Sequence, residues 1–203
     1  MTKPDVEPTD SANTSTSLLE RAVMGRPGAW ERLVGLYGPL VYQWCRRWGL
    51  QPSDAEALGQ EVFLRVFQRL QTHRRDRQED SFRGWLYRIA RNAFVDQIRR
   101  GDQPTTAAGG SDALEALHQI PAAAEAEPQK TGEEDALLYR RAVELIRTEI
   151  SERDWQAFSQ VVLAGRPPVD VAAELNVSPN VVYLAKSRIL RRLQEEFADL
   201  IDF

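Results

Sequence analysis

The segment from Gly101 to Glu134 constrains this chain more than any other. It holds Pro104, Gly109-Gly110, Pro121 and Pro128 between alanine-rich stretches, with room for a short helix at Ala113–His118. A connection inside one compact domain seldom exceeds about 12–15 residues without structure of its own. The segment is therefore predicted to be a flexible linker, 101–134, and with it come two folding units, 17–100 and 135–203. Residues 1–16 are polar and hold Pro4, Pro8 and five Ser or Thr between positions 9 and 16. They cannot bury enough apolar surface to offset their ordering, and are expected to form a disordered tail.

Both units read as helical, and no period-2 run worth a strand occurs. Apolar residues from Leu18 to Val23 have helical spacing, stopped by Gly25 and Pro27. Trp30, Leu33, Val34, Tyr37, Val41, Trp44, Cys45 and Trp48 repeat it, with a kink or restart expected at Gly38-Pro39. Ser53 or Asp54 is a suitable N-cap for a helix to about Leu70, whose buried stripe is Leu58, Val62, Val66 and Leu70, reinforced by Phe63 and Phe67. Gln71–Asp80 lacks apolar residues and predicts a loop. Ser81 caps a helix over Phe82–Arg100, with Arg83, Arg88, Arg91, Asn92 and Arg99 off its buried stripe. The second unit predicts four helices: Asp135–Glu149, Glu152–Leu163 capped by Ser151 and ended by Gly165, Pro168–Leu175, and one from Ser178-Pro179 to about Asp199. The fold class is all-α, in two small helical domains.

Charge is unevenly placed. The formal net charge is −4, but residues 30–100 carry 13 basic and 8 acidic groups, net +5. Residues 101–136 carry 1 basic and 8 acidic groups, net −7. From Leu175 to Gln194 there is no acid, while Lys186, Arg188, Arg191 and Arg192 are present. Two basic elements thus flank an acidic connector, and local placement decides what a surface attracts. One cysteine, Cys45, excludes an internal disulfide framework, and two distant histidines, His73 and His118, give no metal constellation. No cofactor is expected. No apolar run approaches the ~18 residues of a membrane span, and no secretory h-region is visible, so a cytoplasmic location without membrane contact is expected.

Three stretches carry the functional signal. Val169 to Leu193 has helix-turn-helix grammar: a short helix with the small pair Ala172-Ala173, a tight turn Leu175-Asn176-Val177-Ser178, then a second helix. That helix buries Val181, Val182, Leu184, Ile189 and Leu193 in part and projects Asn180, Tyr183, Lys186, Ser187 and Arg188. A helix of this width enters the DNA major groove N-terminal end first, polar side chains reaching base edges and Lys or Arg reaching phosphates. The second stretch, Phe82-Arg-Gly-Trp-Leu-Tyr-Arg-Ile-Ala-Arg-Asn, interleaves arginines with aromatics behind the basic run His73, Arg74, Arg75, Arg77. Arg on phosphate and aromatic faces on unpaired bases suit single-stranded nucleic acid, although Trp85 alone reads more readily as core. The third, Asp54 to Leu70, has one core face and one mixed-charge face of Gln60, Glu61, Arg65 and Gln68, which periodicity alone reads as solvated.

In this order and spacing the three stretches resemble the ECF (extracytoplasmic-function) sigma factors of bacterial RNA polymerase. Asp54-Ala-Glu-(x)3-Gln-Glu-Val-Phe-Leu-Arg-Val-Phe is similar to the family's clamp-binding helix in region two. The arginine-aromatic stretch is similar to its −10 element signature, and residues 168–193 to region four, which reads the −35 element. The chain departs from the family in Ala57 after Glu56, in Gly59, and in Asn180-Val-Val-Tyr-Leu-Ala-Lys where relatives show Thr-Val. The resemblance implies a non-catalytic transcription initiation factor in which a base flipped from the non-template strand is captured near residues 72–82, coupling recognition to melting. It implies −10 contacts at Arg74, Arg75, Arg83, Trp85, Tyr87, Arg88, Arg91 and Asn92. It implies −35 contacts at Ser178, Pro179, Asn180, Tyr183, Lys186, Ser187, Arg188 and Arg191. Core RNA polymerase, through its largest-subunit clamp and its flap, would be met by Asp54, Gln60, Glu61, Phe63, Arg65 and Gln68. Promoter DNA and an anti-sigma factor or kinase complete the expected partners. The alternatives are a stand-alone helix-turn-helix regulator and an all-helical adaptor. The negative total charge disfavours a self-sufficient DNA binder, and an adaptor leaves the acid-free helix unexplained.

Overall fold

The computed structural model describes residues 17–76, 81–100, 132–198 and 200–201, with 71–76 described for the backbone alone. Eight α-helices and no β-strand occur among these residues: α1 Leu18–Val23, α2 Ala29–Arg47, α3 Pro52–Asp76, α4 Phe82–Arg99, α5 Gly132–Arg147, α6 Glu152–Phe158, α7 Pro168–Glu174 and α8 Pro179–Phe197. A π-helical turn, Ser159–Leu163, extends α6. The expected tail and the short helix at Ala113–His118 lie outside the described residues.

Serine caps start several helices as their positions suggest. The Ser17, Ser81 and Ser151 hydroxyls accept from the main-chain N–H of Glu20, Gly84 and Asp154 at 3.3, 3.1 and 3.2 Å. Each satisfies one of the orphan donors of a first turn. Ser178 has the extended N-cap backbone but makes no side-chain cap bond, and Pro179 takes the first helical position.

Several boundaries differ from expectation. α3 begins at Pro52 and continues to Asp76, through six residues assigned to a loop. A charged, apolar-free run extends a helix that is already nucleated, because propagation needs no buried face. α5 begins at Gly132, so Glu133 and Glu134 are helical. α2 runs unbroken through Pro39. Proline there removes the N–H that would meet the Gly35 carbonyl. Arg141 of α5 supplies the missing donors, its Nε and Nη2 reaching that oxygen at 3.2 and 3.1 Å. Gly35 also leaves room for α5: a Cβ at this position would stand 3.3 Å from Leu145 Cδ2.

The main core is continuous across the chain. Leu33, Leu36, Tyr37, Leu40, Val41 and Trp44 of α2 pack with Leu58, Val62 and Val66 of α3 and Leu86, Ile89 and Ala93 of α4. Leu138, Ala142 and Ile146 of α5, and Ile189, Leu193 and Phe197 of α8, join the same cluster. Cys45 is fully buried within it, and burial, only partly offset by a backbone hydrogen bond, pushes its thiol up to about 12. It acts as a small apolar residue. A separate small core of Ala157, Val171, Ala172, Val182 and Ala185 holds α6, α7 and α8 together.

Candidate nucleic-acid interface

The helix-turn-helix is built by a backbone motif. α7 ends in a Schellman turn: Val177 N–H donates to the Ala172 carbonyl at 3.0 Å and Asn176 N–H to that of Ala173 at 3.2 Å. Asn176 has φ 52, a left-handed conformation that Asn adopts more readily than most residues. Val177 packs on the small core. Ala172 and, across from it, Ala185 are buried, so the two helices cross on small side chains. Ala173, the other half of the expected small pair, is exposed.

This crossing turns one face of α8 outward. Ser178, Pro179, Asn180, Tyr183, Ser187, Arg188 and Arg191 are exposed and Lys186 is half-buried. Leu184, expected to be partly buried, is 45% exposed and lies beside Tyr183. The stripe of Val182, Ala185, Ile189 and Leu193 suffices for packing, which leaves Leu184 outside it. Arg191 pairs with Glu195 at 2.7 Å and Arg188 lies 3.5 Å from the largely buried Asp154, both guanidiniums being in solvent. Exposed pairs of this kind contribute little, so both guanidiniums can exchange a carboxylate for a phosphate.

The expected −10 residues do not form one open surface. Arg74 and Arg75 fall in the last turns of α3, where side chains lie outside the described residues. Asn92 is exposed, and Arg88 and Arg91 are half-buried. Trp85 packs half-buried against Phe82, ring centroids 5.6 Å apart, and Tyr87 lies edge-on to Trp44 and Trp48 at 5.0 and 5.9 Å. Arg83, expected on an outward face, is 5% exposed. Its Nη1 reaches Asp135 Oδ1 at 2.6 Å and its Nη2 pairs with Glu134. Glu134 also pairs with Arg47 and accepts from Trp44 Nε1 at 3.0 Å. Burial pushes this carboxyl up, but the hydrogen bonds from Arg47, Trp44 and Arg83, with the charge of Arg83, outweigh it and hold Glu134 below the ordinary carboxylate range.

On α3, Gln60 and Gln68 are exposed, and Asp54, Glu61 and Arg65 are half-buried. Arg65 bridges Glu61 at 2.6 Å and Asp96 of α4 at 2.9 Å. Phe63, expected to face a partner, is 8% exposed and lies edge-on to Trp30. Phe67, expected in the buried stripe, is 60% exposed, and Leu64 is 57% exposed. Both border a groove of about 780 Å³ between α2 and α3, also lined by Trp30, Val34, Tyr42 and Gln60. Periodicity missed these two because an apolar residue at a stripe's edge has the same spacing whether a neighbouring helix covers it or not. No group of His, Cys, Asp or Glu that could hold a metal, and no helix long and apolar enough to cross a membrane, occurs among the described residues.

Residues 33–103 match the family model described as Sigma-70 region 2. A stretch of 95 residues is 35% identical to the ECF RNA polymerase sigma factor SigE of Mycolicibacterium smegmatis, covering 47% of this chain and 35% of that protein. Over this stretch the chain is similar to an ECF sigma factor. It is also 32% identical over 82 residues to the ECF RNA polymerase sigma factor SigW of Bacillus subtilis, covering 40% of this chain and 42% of that one. The matches thus span less than half of either relative. The solved RsbN–BldN complex aligns with 86% of this chain and 96% of that chain at 20% identity, and its TM-score of 0.36 bears on neither fold nor partner. The residues that match the region 2 model take in α3, α4 and most of α2, while the helix-turn-helix lies C-terminal to them.

Proposed function

We propose that this chain binds core RNA polymerase and directs it to promoters, as a specificity subunit without chemistry of its own. The observation that carries the reading is a match to sigma-70 region 2 followed on the same chain by a helix-turn-helix whose second helix carries no acid from Pro179 to Gln194 and exposes Asn180, Tyr183 and Arg188. The two DNA-reading domains would be residues 17–100 and 132–203, joined by the acidic linker 101–131. α8 would read the −35 element through Asn180, Tyr183, Ser187, Arg188 and their neighbours. α4 and the end of α3 would melt and read the −10 element.

The polymerase clamp would be met on α3 by Asp54, Gln60, Glu61, Arg65 and Gln68. The exposed Leu64 and Phe67 supply the apolar anchor such an interface needs. Phe63 would support that surface from beneath, through Trp30, rather than touch the partner. The flap and an anti-sigma factor or kinase are further expected partners. A stand-alone regulator is not favoured, since it has no use for a region 2. Run-off transcription with bacterial core polymerase and a promoter library tests the reading. Initiation at a defined subset of promoters, dependent on this chain, is the expected result; transcripts identical with and without it would overturn the proposal.

A further inference from the structure

The C-terminal helices are fastened to the N-terminal ones by contacts that promoter reading does not require. At one end, Glu134 and Asp135 hold Arg83, with Arg47 and Trp44 completing the cage around Glu134. In the middle, Arg141 fills the defect that Pro39 leaves at Gly35. At the other end, buried Glu196 pairs with Arg21 and Arg32, each at 2.7 Å, and Tyr37 donates to the Leu200 carbonyl at 2.6 Å. Arg83 is the first arginine of the helix assigned above to the −10 element. Two carboxylates grip its two terminal nitrogens as phosphate oxygens would.

We propose that the chain is self-latched: Glu134 and Asp135 occupy Arg83 in place of a nucleic-acid phosphate and hold α5 on α2 until a larger partner parts them. The masking half of this proposal rests on the −10 reading of α4; the latch itself does not. With Arg83 covered, the chain alone is a poor ligand for single-stranded DNA.

The test uses the full chain and two readouts: hydrogen exchange of the α5 amides, and binding of a pool of random-sequence single-stranded DNA. Glu134→Gln keeps size and removes charge. It is expected to speed α5 exchange about tenfold and to tighten DNA binding about tenfold, a gain that Arg83→Ala in the same chain abolishes. Glu133→Gln, which removes an exposed acid from the first turn of α5, is the charge control and is expected to change neither readout. Should Glu134→Gln fail to fold, the half-exposed Asp135→Asn carries the same test with a gain of about threefold. Unchanged α5 exchange in the folded variant overturns the latch, as does an equal effect in Glu133→Gln. If α5 loosens as expected while no variant binds DNA, the latch stands and the nucleic-acid reading of α4 falls.

Discussion

The guanidinium of Arg141 donates through two nitrogens, at 3.2 and 3.1 Å, to the main-chain carbonyl of Gly35, more than a hundred positions earlier in the chain. The carbonyl is open to it because Pro39, four residues on, has no N–H to give. Arg141→Ala should therefore cost about 1–2 kcal/mol in chemical denaturation, the range for orphaning a half-buried acceptor. Pro39→Ala restores the intrahelical donor, so in that background the Arg141→Ala cost should fall by at least half. Equal costs in the two backgrounds would place the role of Arg141 elsewhere.

The depressed Glu134 carboxyl gives the fold an acid limit. A group with a lowered folded pKa stabilises the fold fully above its unfolded value, and that contribution is lost as pH falls through the folded one. The attachment of α5 should thus be insensitive to pH from 7 down to about 5 and weaken below the ordinary Glu value of about 4.3. Thermal melts between pH 7 and 3 check this. In Glu134→Gln the acid-side loss should shrink, because less titrating charge remains to be neutralised.

Phe67 gives a prediction with a small stability cost. Its ring is 60% exposed and its main contact is edge-on to Trp30 at 5.1 Å, so Phe67→Glu should destabilise the chain by no more than about 1.5 kcal/mol. If the groove beside it is the polymerase contact, the same substitution should weaken association with core polymerase at least tenfold. Wild-type association by a stably folded Phe67→Glu chain would move that contact off this groove.

Arg188 is 67% exposed and lies 3.5 Å from Asp154. Arg188→Ala should weaken −35 duplex binding across sequences and reduce the salt slope by about one, the signature of one lost phosphate contact. Filter-binding or anisotropy titrations at several salt concentrations, with polymerase present, measure it. An unaltered slope would mean that this guanidinium meets no phosphate.

Local signals foretold most of the helices. The 3.6 period placed α2, α4, α5 and α8, and Ser17, Ser81 and Ser151 cap where a short polar side chain precedes a periodic run. The outward face of α8 was legible for the same reason: its buried stripe leaves Asn180, Tyr183 and Arg188 on the other side. What could not be read was which neighbour covers a given face. Periodicity treats Phe63 and Phe67 alike, yet the first is 8% exposed and the second 60%, although Trp30 lies edge-on to both. Arg83 looked free because its partners, Glu134 and Asp135, are about fifty positions away, at and just past the far end of a segment that composition marked as linker. Long-range ion pairs leave no local pattern, so the contacts closing α5 onto α2 and α4 appear only in three dimensions.

Size-exclusion chromatography of the purified chain with bacterial core RNA polymerase, run beside promoter duplex binding by the chain alone, tests the central claim most directly. The account predicts co-elution with the polymerase, weak duplex binding by the free chain, and tight, sequence-selective binding by the complex. Failure to co-elute, together with tight unaided binding of duplex DNA, would contradict it.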